Sequence, residues 1–186
     1  MKTKRILFGL SVFTMLLLFT AGVYAEPLKV AIIPFVNTTT ETRDFAMEAI
    51  QKKFDAKFTN GSYTLIPNTS VAEILAKSGY DPKMMELADK ETMINVAKST
   101  GADAVVAMEI VQINNHRSSS LFSTSAKSEV KLRFRTYENA TNKYSSYQTV
   151  GLGVNKAVLV GVGGMGGAIV EGLEKAIDDG FSKFSF

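Results

Sequence analysis

The stretch Leu28–Thr40, LKVAIIPFVNTTT, decides the fold that the sequence predicts. Its apolar run would alternate between the two faces of a strand, with Val30, Ile32 and Pro34 on one face and Ala31, Ile33 and Phe35 on the other. Because both faces are apolar, the strand should be covered on both sides, as the central strand of an α/β sheet is. The polar residues after it favour a turn and a helix cap over continued strand pairing.

The rest of the chain alternates between helical and strand periodicities. Thr40 is expected to cap the first helix, and Ser70 with Glu73 forms a capping-box pattern at the second. Polar residues from Asn114 to Ser125 predict an exposed loop. The predicted elements after the first strand are helix Glu41–Phe58, strand Tyr63–Ile66, helices Val71–Ser78 and Glu91–Thr100, strands Ala104–Ile113, Glu129–Tyr137 and Tyr144–Gly153, and helix Ala168–Lys183.

This order, β-α-β-α-α-β-β-β-α, predicts a single α/β domain over residues 26–186. Alternation at the start and a hairpin near the end imply a mixed sheet of about five strands, with a parallel core and a C-terminal antiparallel hairpin, flanked by helices.

Residues 1–25 have the pattern of a secretory signal peptide. A basic start, MKTKR, precedes a long uncharged segment and small residues before a cleavage site between Ala25 and Glu26. The alternative is an uncleaved membrane anchor, because the uncharged segment is long enough to cross a bilayer. Cleavage is the favoured interpretation, and it predicts an exported protein that is periplasmic or extracellular.

Charge and cysteine content exclude several function classes. The chain has 21 Lys and Arg against 18 Asp and Glu, and three of the basic residues, Lys2, Lys4 and Arg5, lie in the predicted signal peptide. The remaining domain is formally neutral, which removes the global argument for binding nucleic acid. No cysteine is present. Disulfides, thiolate metal sites and a lipidated N-terminal cysteine are therefore excluded, and we expect a soluble product without a membrane span after signal removal.

Three short stretches, Val30–Thr38, Thr100–Val106 and Val130–Tyr144, carry a family resemblance. With the predicted order of elements, they resemble the TolB N-terminal-like family of bacterial cell-envelope domains, which includes CsgG-like and LpoB-like domains. None of the three motifs is catalytic in that family. The resemblance implies a non-enzymatic domain without a cofactor, which works by contact with another protein in cell-envelope assembly or maintenance.

A basic stripe is the first candidate site. Lys131, Arg133 and Arg135 alternate along one predicted strand, and Lys127 is in phase with them. Such a stripe could bind an acidic partner or an anionic envelope polymer. The alternative, which the pattern favours, is a solvated sheet face whose charges discourage association between sheet edges.

A glycine-rich passage before the last helix is the second candidate site. It contains Gly161, Gly163, Gly164, Gly166 and Gly167. The Gly-x-Gly-x-x-Gly spacing before a helix suggests a nucleotide- or anion-binding loop, but we expect no second βαβ half after it. The alternatives are a loop or tight helix packing without ligand, and a self-association surface of a structural envelope protein.

The remaining polar patterns predict no catalytic or metal site. His116, the only histidine, is expected in the exposed loop without a partner that would make it a base or a ligand. Glu171, Glu174 and Asp178 have the spacing of any solvated helix face. The aromatic residues up to Phe186 resemble the end of a barrel strand, but the helical segments favour their interpretation as the apolar edge of the last helix.

Overall fold

The computed structural model describes residues 26–119, 124–157 and 164–186, so the predicted signal peptide lies outside the described residues. The predicted α/β class is confirmed, with six strands in one mixed sheet and helices on both faces. The elements are β1 Leu28–Ile32, β2 Val36–Asn37, α1 Asp44–Phe58, β3 Tyr63–Leu65, α2 Asn68–Lys77, a 3₁₀ turn Pro82–Met84, α3 Lys90–Thr100, β4 Ala104–Ser119, β5 Thr124–Glu138, β6 Lys143–Ala157 and α4 Met165–Ser182.

The sheet has the order β3-β1-β4-β5-β6, and β2 also pairs with β4. β1 is parallel to both of its neighbours, β3 and β4, as the two-sided apolar pattern of β1 predicts. β4, β5 and β6 form a long antiparallel meander that ends in an edge strand. The molecule is therefore a parallel α/β half joined to an antiparallel half.

Pro34 divides the predicted first strand into two. β1 ends at Ile32 and β2 starts at Val36, and both pair with β4. The irregular residues between them break the alternation, so Phe35 lies on the same side of the sheet as Val30, opposite to its predicted side. Its ring contacts Phe54 of α1, with the two ring centroids 4.7 Å apart.

The predicted loop from Asn114 to Ser125 is wrong. β4 continues to Ser119 and β5 already begins at Thr124, with pairs from Asn114 opposite Glu129 to Ser119 opposite Thr124. Backbone hydrogen bonding maintains this polar segment as strands, and a register shift between Ile110 and Gln112 marks a bulge at its start. Residues 120–123 lie outside the described residues.

Each face of the sheet has its own hydrophobic core. α1 and α4 cover one face, and their core includes Phe54, Phe58, Phe134, Ile169 and Leu173, all fully buried. α2 and α3 cover the other face over the parallel half, with Val71, Leu75, Met93 and Val96 in the core. In the part of the chain that the structure describes, no helix combines the length and the apolarity that crossing a bilayer requires.

The polar segment after β2 forms a turn, and the predicted helix starts differ from the observed ones. Asn37 donates from Nδ2 to the Glu41 carbonyl at 2.6 Å and accepts from the Thr39 amide at 3.0 Å, so it stabilises the turn. α1 begins only at Asp44, which excludes Thr40 as its cap. α2 begins two residues before Ser70, directly after Pro67, so the capping box does not form there.

α3 has clear signals at both ends. Asp89 is its N-cap, and the Asp89 carboxylate accepts a hydrogen bond from the Thr92 amide at 2.8 Å. This hydrogen bond lowers the pKa of the Asp89 carboxyl. Gly101 ends the helix at φ +67°, a left-handed conformation that glycine adopts without strain.

We expect Asp89→Ala to lower the free energy of unfolding at pH 7 by about 1 kcal/mol, as loss of an N-cap does. Because the folded-state pKa of Asp89 is lowered, its contribution is complete above the unfolded value of about 3.9 and is lost as the pH falls through the folded value. Urea unfolding of both proteins at neutral and strongly acidic pH measures this. Asp89→Asn, which keeps a capping oxygen, should lose only a few tenths of a kcal/mol. A deficit in the alanine variant that is equally large at acidic pH contradicts the assignment.

α4 packs against β6 at two glycines. A Cβ on Gly153 would overlap the carbonyl oxygen of Ala168, and a Cβ on Gly151 would overlap that of Gly172. Gly172 also lies close to β5, where a Cβ would be 2.9 Å from a methyl carbon of Val130. Tight helix–sheet packing is therefore found at Gly151, Gly153 and Gly172, outside the passage 161–167 for which it was one of the alternatives.

Candidate docking surface

Part of one face of the antiparallel half, beyond the stretch near Ala107 and Tyr137 that α3 covers, has no helix packed on it in the described residues. Val130, Leu132 and Phe134 of β5 face α4 and the core, so the residues between them point to the opposite side. Cross-strand pairing places neighbours from β4 and β6 on that same side. We call this surface the open face; its members are Gln112, Asn114 and His116 of β4, Lys127, Glu129 and Lys131 of β5, and Val150, Leu152 and Val154 of β6.

The β6 row of the open face is apolar and exposed. Val150, Leu152 and Val154 are 49%, 58% and 40% exposed. A single exposed apolar residue is ordinary, whereas adjacent ones on one face indicate a contact surface. Since each residue is about half accessible, all three have apolar area that a partner could still remove from water.

The predicted basic stripe separates into two pairs. Lys127 and Lys131 lie on the open face, opposite Val154 and Val150. Arg133 binds within the chain, because its guanidinium pairs with the buried Glu109 carboxylate at 3.1 Å.

Arg135 is also used within the chain. Its Nη1 donates to the backbone carbonyls of Leu87 and Ala88 at 2.7 and 2.9 Å. Arg135 therefore connects β5 to the segment that leads into α3. Its guanidinium would be available to a partner only if these two hydrogen bonds broke.

The role of Glu109 was not predicted from the sequence, because it depends on the neighbours of Glu109 across the sheet. Glu109 lies opposite Arg133 in the β4–β5 ladder, and its carboxylate is 3.3 Å from the Thr38 hydroxyl, which donates at 2.9 Å to the Ile110 carbonyl. The signal in the sequence was a lone acid in an otherwise apolar part of β4, which favours a buried partner of opposite charge. Together these contacts join β4, β5 and the residue that follows β2 at the border of the open face.

His116 belongs to the open face and not to a loop. It lies opposite Lys127 and contributes with Asn114, Glu129 and Leu152 to a shallow hollow of about 380 Å³. Within residues 26–119, 124–157 and 164–186, no three acidic or histidine side chains are grouped closely enough to hold a metal ion.

Most of the glycine-rich passage precedes or begins α4. Gly161 and Gly163 lie outside the described residues. Gly164 directly precedes the helix and its carbonyl accepts a 3.3 Å hydrogen bond from Asn155, while Gly166 lies against Phe45. Gly167 is so close to Asn155 that a Cβ would overlap the Asn155 amide nitrogen. These three glycines therefore contact their own chain, and the helix begins at Met165, three residues before its predicted start.

Two acidic residues of α4, Asp178 and Glu171, bind different partners. Asp178 pairs with Lys53 of α1 at 2.7 Å. Glu171 pairs with Lys175 and also accepts a 2.7 Å hydrogen bond from the Val154 amide, and these two contacts lower the pKa of the Glu171 carboxyl. Lys175 donates to the Leu152 carbonyl at 2.9 Å. Glu171 and Lys175 thus form hydrogen bonds with backbone groups on the outer edge of β6, and we call these two residues the edge pair.

Several solved structures are similar to this chain at low sequence identity. The LpoB C-terminal domain from Salmonella enterica is 15% identical, with 72% of this chain and 88% of that chain covered and a TM-score of 0.39. The lipoprotein GNA1162 from Neisseria meningitidis is 14% identical, with 85% of this chain and all of that chain covered and a TM-score of 0.49. A PelC dodecamer from Paraburkholderia phytofirmans is 13% identical, with 82% and 88% covered and a TM-score of 0.40.

The sequence motifs resemble a family that includes LpoB-like domains, and an LpoB domain is among the solved structures that are similar to this chain. The predicted resemblance is confirmed to that extent. No family model matches the chain. No curated protein matches it either.

Proposed function

We propose that this chain is an exported, non-catalytic protein-interaction module of the bacterial cell envelope, and that the open face is its docking surface. The observation that carries the proposal is the exposed apolar row of Val150, Leu152 and Val154 on a regular strand. The proposed location depends on the predicted signal peptide and on the family resemblance of the sequence motifs.

The apolar row has the energetic properties of an interface centre. Complete burial of a valine or leucine side chain contributes about 1.5–3 kcal/mol, and these three side chains still expose about half of their surface. A partner that covers all three would therefore gain about 3 kcal/mol from them. A few such residues surrounded by polar ones are the usual source of affinity in protein interfaces.

The open face is also rigidly supported. β5 lies between β4 and β6 in an antiparallel sheet, and α4 packs on the opposite side against Gly151 and Gly153. A sheet held in this way presents its outward side chains without a folding cost at binding. The proposed surface is thus preorganised, as a docking module requires.

The two alternatives from the sequence, a nucleotide-binding loop and a self-association surface at Gly161–Gly167, stay predictions. Gly164, Gly166 and Gly167, the three that the structure describes, contact Phe45 and Asn155 of their own chain. This arrangement favours neither alternative.

Site-specific photocrosslinking in intact cells tests the proposed function. A photoreactive amino acid at Leu152 should give a discrete crosslinked product with another envelope protein, because this side chain is the most exposed of the apolar row. The control is the same amino acid at Lys98, an exposed residue of α3 on another surface. Identical products from both positions, or none from Leu152 in any growth phase, would refute docking through the open face.

A further inference from the structure

We infer that the segment bound at the open face is an acidic amphipathic helix, with a row of carboxylates beside a row of apolar side chains. The inference rests on the proposed function and specifies the chemistry of the partner. Three properties of the open face support it: its charge, the spacing of its rows and the state of the β6 edge.

The charge of the surface is the first property. Lys127 and Lys131 lie on either side of Glu129 along β5, and Lys156 lies on the same side of the sheet, opposite Ser125. Glu109, the acid nearest to this row along the ladder, is already paired with Arg133. Three lysines thus face one glutamate, which favours a partner with carboxylates at the β5 row.

The spacing of the rows is the second property. Neighbouring strands lie about 4.8 Å apart, so the apolar row on β6 is directly beside the charged row on β5. Alternate residues of a strand are about 6.8 Å apart, close to the roughly 6 Å rise of four residues in a helix. A helix that lies along β6 can therefore place successive apolar residues on Val150, Leu152 and Val154, and acidic residues on Lys127 and Lys131.

The β6 edge is the third property. The Leu152 carbonyl accepts from Lys175 and the Val154 amide donates to Glu171, so these edge positions already have partners. A strand that extended the sheet here would have to displace both side chains. Docking on the face requires no such displacement, which favours a helix over an added strand.

The charge also argues against two other occupants. A second copy placed face to face would bring two lysine rows together, which is unfavourable. An anionic polymer would contact Lys127 and Lys131 but would leave the apolar row in water. The acidic amphipathic helix is the occupant that uses both rows.

A peptide titration tests this inference with a defined probe. A synthetic helix-forming peptide of about 16 residues, with Leu at four-residue steps and Glu on the adjacent positions, is added to the ¹⁵N-labelled protein and followed by NMR. Amide shifts should change along β5 and β6. The matched peptide with Lys in place of Glu should bind about tenfold more weakly or worse. The double variant Lys127→Glu/Lys131→Glu should reverse this preference, whereas Lys98→Glu on α3 should leave it unchanged.

Four results would overturn the inference, and the first three concern where and how selectively a peptide binds. They are equal binding of the acidic and basic peptides, shift changes confined to another surface, and equal shifts with poly-glutamate, which has no apolar row. No binding of any peptide overturns it as well. Its failure is distinguishable from failure of the proposed function, because crosslinking from position 152 would then still capture a specific protein.

Discussion

Replacing Gly153 with alanine is expected to destabilise the protein by about 3 kcal/mol or more. The new Cβ would overlap the Ala168 carbonyl oxygen and would lie 2.6 Å from the Gly172 amide nitrogen. Both are backbone atoms of α4, so no side-chain rotation can relieve the contact. α4 would have to move away from β6 and would lose packing in the core that includes Ile169 and Leu173.

Chemical denaturation of Gly153→Ala and of a matched control measures this effect. Gly166→Ala is the control, because its Cβ would meet only the Phe45 ring at an ordinary 3.5 Å and because alanine is favoured within a helix. We expect the control to unfold at the same denaturant concentration as the natural protein or slightly above it. A Gly153 variant as stable as the control would show that α4 does not pack at this distance.

Phe54→Ala is expected to cost about 4 kcal/mol, within the range for removing a buried aromatic side chain. Phe54 is completely buried on α1. Its ring centroid lies 4.7 Å from that of Phe35, 5.0 Å from that of Phe181 and 6.0 Å from that of Phe58. The substitution would leave a cavity where α1, α4 and the segment after β1 meet.

Thermal unfolding followed by circular dichroism compares this variant with Phe54→Leu. Leucine retains most of the apolar volume, so its cost should be clearly below that of alanine. Equal losses in the two variants would mean that ring contacts, rather than the filled volume, determine the stability of this cluster.

The parallel half of the fold was predictable because its signals are local. The two-sided apolar pattern of β1 specifies a covered strand, and Gly101 marks the end of α3 with a residue suited to positive φ. The predicted strand boundaries failed at Pro34, where a single residue interrupts both the hydrogen bonding and the alternation of faces. Because the alternation breaks there, Phe35 packs in the core on the face opposite to the predicted one.

The antiparallel half was only partly predictable because its stability comes from partners distant in sequence. The polar residues of β4 beyond Ile113 resemble a loop locally, and only their pairing with β5 makes them a strand. The pairing of Arg133 with Glu109 likewise depends on register across two strands.

The open face could not be recognised from β5 alone. Its cations were predicted from alternation along one strand, but the apolar row beside them belongs to β6. The two rows become one surface only after the hairpin is paired. Val150, Leu152 and Val154 were therefore missed, although they alternate with Gly151 and Gly153 in the sequence.

The edge pair has a consequence for the behaviour of the protein in concentrated solution. An edge strand with three exposed apolar residues is a typical site at which a strand of another chain adds to the sheet and aggregation begins. Glu171 and Lys175 obstruct this growth at Leu152 and Val154 with side chains from a helix of the same molecule. The hydrogen bonds from Lys175 and the Val154 amide lower the pKa of the Glu171 carboxyl, which favours the ionised form that accepts them. The sheet therefore leaves its apolar side chains accessible on one face, while two backbone positions on the neighbouring strand edge are already hydrogen-bonded.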